Sequence, residues 1–131
     1  MTVEVHLVTP EREVWTGDVE MVIAHGVDGE VGILGGHAPL LVQLGIGPLR
    51  LQMPDGTWTR AVVDGGFLHV STDEGVTRAD VLASQAELAS EIDVEATRTR
   101  LAELQNTAQE DDEGVAEAEI AKAQARISIA G

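Results

Sequence analysis

Between Val3 and Ala83 apolar and polar positions alternate over short stretches. Val3, Val5 and Leu7 alternate with Glu4, His6 and Val8; Val22, Ala24 and Gly26 alternate with Ile23 and His25; Leu49, Leu51 and Met53 alternate with Arg50 and Gln52. A period of two predicts strands with one buried face. Asp28-Gly29, Pro54-Asp55-Gly56 and Asp73-Glu74-Gly75 punctuate the pattern. Asp-Gly favours tight hairpins because both residues tolerate positive φ. Gly65-Gly66, flanked by Val62-Val63 and Phe67-Leu68, predicts a bulge or sharp bend. Short strands at this spacing predict an antiparallel β-sandwich or flattened barrel over residues 1–84.

After Ala83 the period changes. Glycine is absent until Gly114, and Ala, Glu, Leu and Gln, all good helix formers, dominate. Ser90 followed by Asp93 suggests a capping box. Val94, Thr97, Leu101, Leu104 and Ala108 share one helical stripe. The acids Glu110-Asp111-Asp112-Glu113 oppose the dipole at a helix C-terminus and suit the start of the next helix, so a turn is expected there. Ala116, Ile120, Ala123, Ile127 and Ala130 form the second stripe. Residues 85–131 are therefore expected to form a two-helix hairpin. Helices of this length with Ala-rich seams are marginal alone in water, so the hairpin either stays packed on the sandwich or detaches.

Asp28 to Leu41 breaks both patterns. Gly29, Gly32, Gly35 and Gly36 are threaded between Glu30, Val31, Ile33, Leu34, His37, Ala38, Pro39, Leu40 and Leu41. Glycine permits positive φ and close backbone approach, so the block reads as tight turns on the rim of a β-structure rather than as a plain strand. A rigid rim of this kind suits partner recognition. His37 either locks the loop by a hydrogen bond to backbone or contacts a partner.

Composition narrows the function. Acids outnumber Lys plus Arg by 23 to 8, a formal charge of −15, which argues against nucleic acid and against direct adsorption on anionic lipid. Such acidity serves solubility or complements a basic partner surface. There is no cysteine, hence no disulfide framework or thiolate metal site, which fits a cytoplasmic setting. No apolar run is long enough to span a membrane, and Met1 to His6 lacks the pattern of a secretory signal.

Candidate chemistry is sparse. His6, His25, His37 and His69 show neither the i, i+4 nor the His-x-His spacing of a metal site, and His6, His25 and His69 read as strand residues on a half-exposed face. A cupin-like metalloenzyme would need such a His-x-His pair. The glycines fit neither a phosphate-binding loop nor a dinucleotide fingerprint, and no serine sits in a nucleophile elbow. No catalytic residue, metal ligand or cofactor is assigned. The residues alone leave a binding module as the expectation.

The stretch from Gly29 to Leu41 is similar to the Gly-Glu-x-Gly-Ile-x-x-x-His-Ala-Pro-Leu-Leu signature of the epsilon subunits of F-type ATP synthases. Val63-Asp64-Gly65-Gly66-Phe67-Leu68-His69-Val70 and Val76-Thr77-Arg78-Ala79-Asp80 agree in order and spacing, and Leu7 to Arg12 with Trp15-Thr16-Gly17 resemble the family's first strand and turn. The likeness runs from Val3 to about Ala83; beyond, it is architectural. It implies a non-catalytic subunit of the central rotor, peripheral at the cytoplasmic face of the cell membrane. The sandwich would join the gamma subunit to the proton-driven ring, and the hairpin would restrain ATP hydrolysis by reaching the alpha/beta catalytic head. A free-standing adaptor of the same shape is the alternative.

By the same resemblance Gly29, Glu30, Gly32, His37, Ala38, Pro39 and Leu40 would touch partners, with Glu30 complementing a basic residue in the ring's polar loops. An exposed pair of that kind contributes only about 0–1 kcal/mol. Some members bind ATP through Ile/Leu-Asp-x-x-Arg-Ala. Here Ile92 and Asp93 match but Ala96 replaces the arginine. Arg98 and Arg100 lie nearby, yet two residues rotate a side chain about 200° around a helix. Without the guanidinium fork, ATP binding is expected to be weak or absent. Braking members use basic residues on the second helix. From Ser84 on, only Arg98, Arg100, Lys122 and Arg126 oppose eleven acids. Lys122 and Arg126, at i, i+4, are the candidate regulatory pair.

Overall fold

The computed structural model describes residues 1–107 and 115–130. Seven strands precede two helices: β1 (Val3–Val8), β2 (Glu13–Val19), β3 (Met21–Gly26), β4 (Gly29–Leu34), β5 (Leu40–Gln52), β6 (Trp58–Asp73), β7 (Val76–Leu88), α1 (Val94–Thr107) and α2 (Val115–Ala130). A 3₁₀ turn, Ala89–Glu91, links β7 to α1. The strands join in the order β2-β1-β7-β6-β5-β3-β4 and fold over one core, giving the expected β-sandwich followed by helices. Every pairing is antiparallel except β1 with β7, which is parallel.

The alternation does what its period dictates. Val3, Val5 and Leu7 are fully buried, while Glu4, His6 and Val8 face outward. Leu49 and Leu51 of β5, Leu68 and Val70 of β6, and Ala79 and Val81 of β7 complete the same core. The turns fall where Asp-Gly and its relatives stand. Glu74 and Gly75 both have positive φ, at 50° and 81°, and close a two-residue hairpin between Asp73 and Val76.

The long strands bend where glycine and proline cluster. Gly26 of β3 pairs with Leu44 and Ala24 with Leu49, so residues 45–48 of β5 bulge out of the β3 ladder while 46–48 stay in register with β6. Pro48 sits in that bulge, where the β3 ladder asks no N–H of it. Gly65 and Gly66 adopt φ of 68° and 112°. A Cβ at Gly66 would overlap the Leu82 carbonyl oxygen and come within 2.8 Å of Ala83 Cα. Glycine here is a steric requirement.

Three expectations need correction. Gly29–Leu34 is a strand rather than a chain of turns: Ile33 is buried and Val31 half-buried on its inner face, and only 35–39 forms a turn. Two glycines in six residues hide a period of two. Asp93 does not answer a cap from Ser90 but is itself the cap. Its Oδ1 accepts from the Ala96 N–H at 3.0 Å, and its carbonyl accepts from the Thr97 N–H and hydroxyl. On α1, Thr97 and Leu104 are buried, with Val94 and Leu101 partly so, as the stripe requires. On α2, Ala123 is buried but Ile129, outside the expected stripe, is buried too, against Val62 and Ile92. That helix packs on two surfaces at once. The acidic run 110–113 and Ala108 lie outside the described residues, as do the side chains of Ala116 and Ala130.

Candidate functional site

The glycine-rich block is divided between two elements. Gly29, Glu30 and Gly32 stand on β4, an outermost strand of the sheet, whereas His37, Ala38 and Pro39 lie in the link to β5, which begins at Leu40. The link is tied down. The Gly36 N–H donates to the hydroxyl of buried Thr77 at 2.7 Å. The His37 N–H donates to the Leu34 carbonyl at 3.1 Å. His37 Nδ1 lies 2.7 Å from the Ala38 carbonyl oxygen, which assigns the proton to Nδ1. Beside Gly35, a Cβ would come within 2.8 Å of the Met1 carbonyl oxygen. The rim is thus stiff and open to solvent.

Glu30 projects outward, opposite His25 in register, and accepts a hydrogen bond from Arg50. Its charge is already met within the chain. Arg50 keeps a buried Nε without a hydrogen-bond partner among the described residues.

A second feature escaped the motif reading. The sheet face turned away from the core carries large apolar side chains at the polar parity of the strands. Phe67 is 47% exposed and stands opposite Leu82, itself 52% exposed, with Val8 and Gln43 completing the row. Leu41, 65% exposed, stands opposite His69 in the next row. Val8, Pro10, Phe67 and Leu82 line a shallow groove here. The signal was present in the sequence: Leu68 and Val70 set the buried parity of β6, so Phe67 had to point out. Apolar residues on an outward face mark an interaction surface.

The third feature lies at the base of the hairpin. A cavity of about 460 Å³ is lined by the cations Arg12, Lys122 and Arg126 and the carboxylates Asp64, Glu87 and Glu91. They are matched. Arg12 donates to both Glu91 oxygens at 2.9 Å. Arg126 donates to both Glu87 oxygens at 2.9 and 3.1 Å. Lys122 lies 3.6 Å from Asp64 and donates to Gln85. Lys122 and Arg126 therefore face the sandwich. Ile92 is buried next to this cavity, Asp93 is spent on capping α1, and Ala96 is exposed on that helix. Among the described residues no group of three or more His, Asp or Glu is placed to hold a metal ion. No described helix is long and apolar enough to cross a membrane.

Two carboxyls are held below their ordinary range. The Arg12 guanidinium, then the Leu88 N–H, lower Glu91; the Thr57 hydroxyl, then its N–H, lower Asp55. A carboxyl lowered on folding contributes stability above its unfolded pKa and loses it as pH falls through the folded one. Glu91→Gln and Asp55→Asn should therefore lower Tm near neutral pH, with the difference from the parent shrinking as pH falls from the ordinary carboxylate value through the lowered folded one. Thermal unfolding across a pH series measures this; a gap that persists in acid would contradict it.

Residues 2–100 match the family model described as "ATP synthase, Delta/Epsilon chain, beta-sandwich domain". The chain is 43% identical over 128 residues to the ATP synthase epsilon chain of Thermobifida fusca, covering 96% of this chain and 90% of that one. It is 41% identical over 135 residues to the epsilon chain of Halalkalibacterium halodurans, with 99% and 98% covered. Among solved structures, a chain of the Euglena gracilis mitochondrial ATP synthase (OSCP/F1/c-ring) superposes with a TM-score of 0.80 at 25% identity, covering 94% of this chain and 78% of that one. A chain from the Tetrahymena thermophila mitochondrial ATP synthase central stalk and c-ring matches in fold, with a TM-score of 0.60 at 16% identity over 100% and 98%.

Proposed function

The chain belongs to the delta/epsilon family of ATP synthase subunits, and from that premise we propose that it is a non-catalytic central-stalk subunit that couples the membrane ring to the gamma subunit. The observation that carries the reading is the row Phe67–Leu82 with neighbouring Leu41, apolar and exposed beside a rim held rigid by Thr77. An apolar patch of this kind suits a permanent partner. We assign that face to gamma. The edge bearing Glu30 is assigned to the ring's polar loops, where the ring's cation would have to share Glu30 with Arg50. The subunit would then sit at the cytoplasmic face of the cell membrane, held there only through the complex.

The helices are the candidate regulatory unit, reaching toward the alpha/beta head. Tight ATP binding is not part of this reading. The motif arginine is missing at Ala96, and each cation around the hairpin-base cavity already has a carboxylate partner.

The test is co-expression with the gamma subunit of the same organism. The subunit reading requires gamma to purify with this chain in equal amount; a free-standing adaptor would leave it behind. Phe67→Lys with Leu82→Lys should cut gamma retention at least about tenfold, since desolvated apolar anchors dominate interface energies. Both side chains point outward, so Tm should shift by only a few degrees. Undiminished retention would remove this face from the interface.

A further inference from the structure

We infer that the ion pairs Lys122–Asp64 and Arg126–Glu87 form a salt-sensitive latch that holds α2 on the sandwich. The latch concerns the chain's own conformation and stands whether or not the hairpin restrains hydrolysis.

The apolar part of the dock is small. Among the described residues, Val62, Ile92 and Ile129 are its buried members, with Ala89 and Ala125 packed beside them. The sandwich core lies elsewhere and does not depend on α2. Two ion pairs add to that contact. Lys122 and Arg126 are one helical turn apart and share a face with Ala125 and Ile129. Their partners stand on adjacent strands: Asp64 of β6 pairs in register with Gln85, and Glu87 lies two residues further along β7. Two cations on a helix thus meet two carboxylates on a sheet at matching spacing. The four side chains are 25–31% exposed, sheltered more than open surface pairs. They line a cavity open to solvent, so dissolved ions still reach them.

Removing the cations leaves Asp64 and Glu87 facing each other's charge in a chain of net charge −15. The sandwich side of the dock then repels the acidic hairpin instead of holding it. Releasing α2 also frees Lys122 and Arg126, so docking and any outward use of those cations exclude one another.

Amide exchange in the full chain, read by mass spectrometry, tests this. Between about 0.1 M and about 1 M sodium chloride the screening length falls from about 10 Å to about 3 Å. Exchange along α2 should speed up roughly tenfold over that range, because an undocked helix of this length frays and two weakened pairs suffice to free it. Asp64→Asn with Glu87→Gln should show fast α2 exchange at low salt and no further response to salt. Arg126→Glu should be faster still, and adding Glu87→Arg to it should restore protection to within about twofold of the parent. Strand amides of β1, β6 and β7 report in the same experiment that the sandwich is folded. Unchanged α2 protection in the neutralised variant, or a reversed pair no better protected than Arg126→Glu alone, would overturn the latch.

Discussion

A chain ended after Leu88 should keep a folded sandwich and bind gamma, whereas one ended after Ala83 should lose much of its stability. The change of sequence texture falls near Ser84, but β7 runs on to Leu88. Its last residues pair with β6: Gln85 with Asp64, Ala86 with Val63, Glu87 with Val62 and Leu88 with Ala61. Ala86 and Leu88 also pack against the core. Cutting after Ala83 leaves that stretch of β6 with an open edge and uncovers Ala61 and Val63. Backbone groups lose their partners where water has poor access, at about 1–3 kcal/mol for each group left buried and unmet. A loss of at least about 4 kcal/mol is expected, read as a fall in Tm of well over 10 °C. Ending after Leu88 uncovers chiefly Val62, which the hairpin covered, and should cost no more than about 2 kcal/mol. Equal melting of the two truncations would contradict this. With the Leu88 truncation built into the assembled enzyme, a rise in ATP hydrolysis would assign a brake to the helices, and an unchanged rate would leave them none.

Gly66→Ala should be among the most damaging single substitutions in the sandwich. Its φ of 112° lies where side chains are rarely accommodated, and the added Cβ would run into backbone rather than a movable side chain. Strain and overpacking together should cost roughly 3–5 kcal/mol. Gly32→Ala is the contrast. It stands in the signature block, yet nothing lies within 4 Å of a Cβ there and its φ is ordinary. Its effect should stay within about 0.5 kcal/mol. Denaturant titration of the two variants separates a glycine required by space from one that is not. A Gly66→Ala protein as stable as the parent would mean that β6 and β7 part more easily than their geometry implies.

Strands announced by alternation, such as β1 with Val3, Val5 and Leu7, were legible because one side chain in two had to be buried. The hairpin turns were legible because few residues tolerate positive φ. β4 was not, since Gly29 and Gly32 supply no side chain to alternate and glycine is a poor strand former. At the candidate site, the turn at 35–39 could be read from its glycines, but its anchor could not: Thr77 lies on another strand, and nothing in the local pattern links it to Gly36. The orientation of α2 was hidden for a similar reason. Lys122 and Arg126 look like a free positive patch until Asp64 and Glu87, distant in the chain, are brought opposite them. A stripe read on one helix face does not reveal a second face, and Ile129 belongs to that second face.

The unbroken course of β5, β6 and β7 through their bends has a mechanical consequence. The two halves of the sandwich share continuous covalent chains, and neighbouring strands are stitched along most of their length. A twisting load entering at one end travels through backbone rather than across a greasy seam that can slide. Yielding then demands that many ladder bonds shear together instead of peeling one at a time, which suits a part that must turn without lagging behind its shaft.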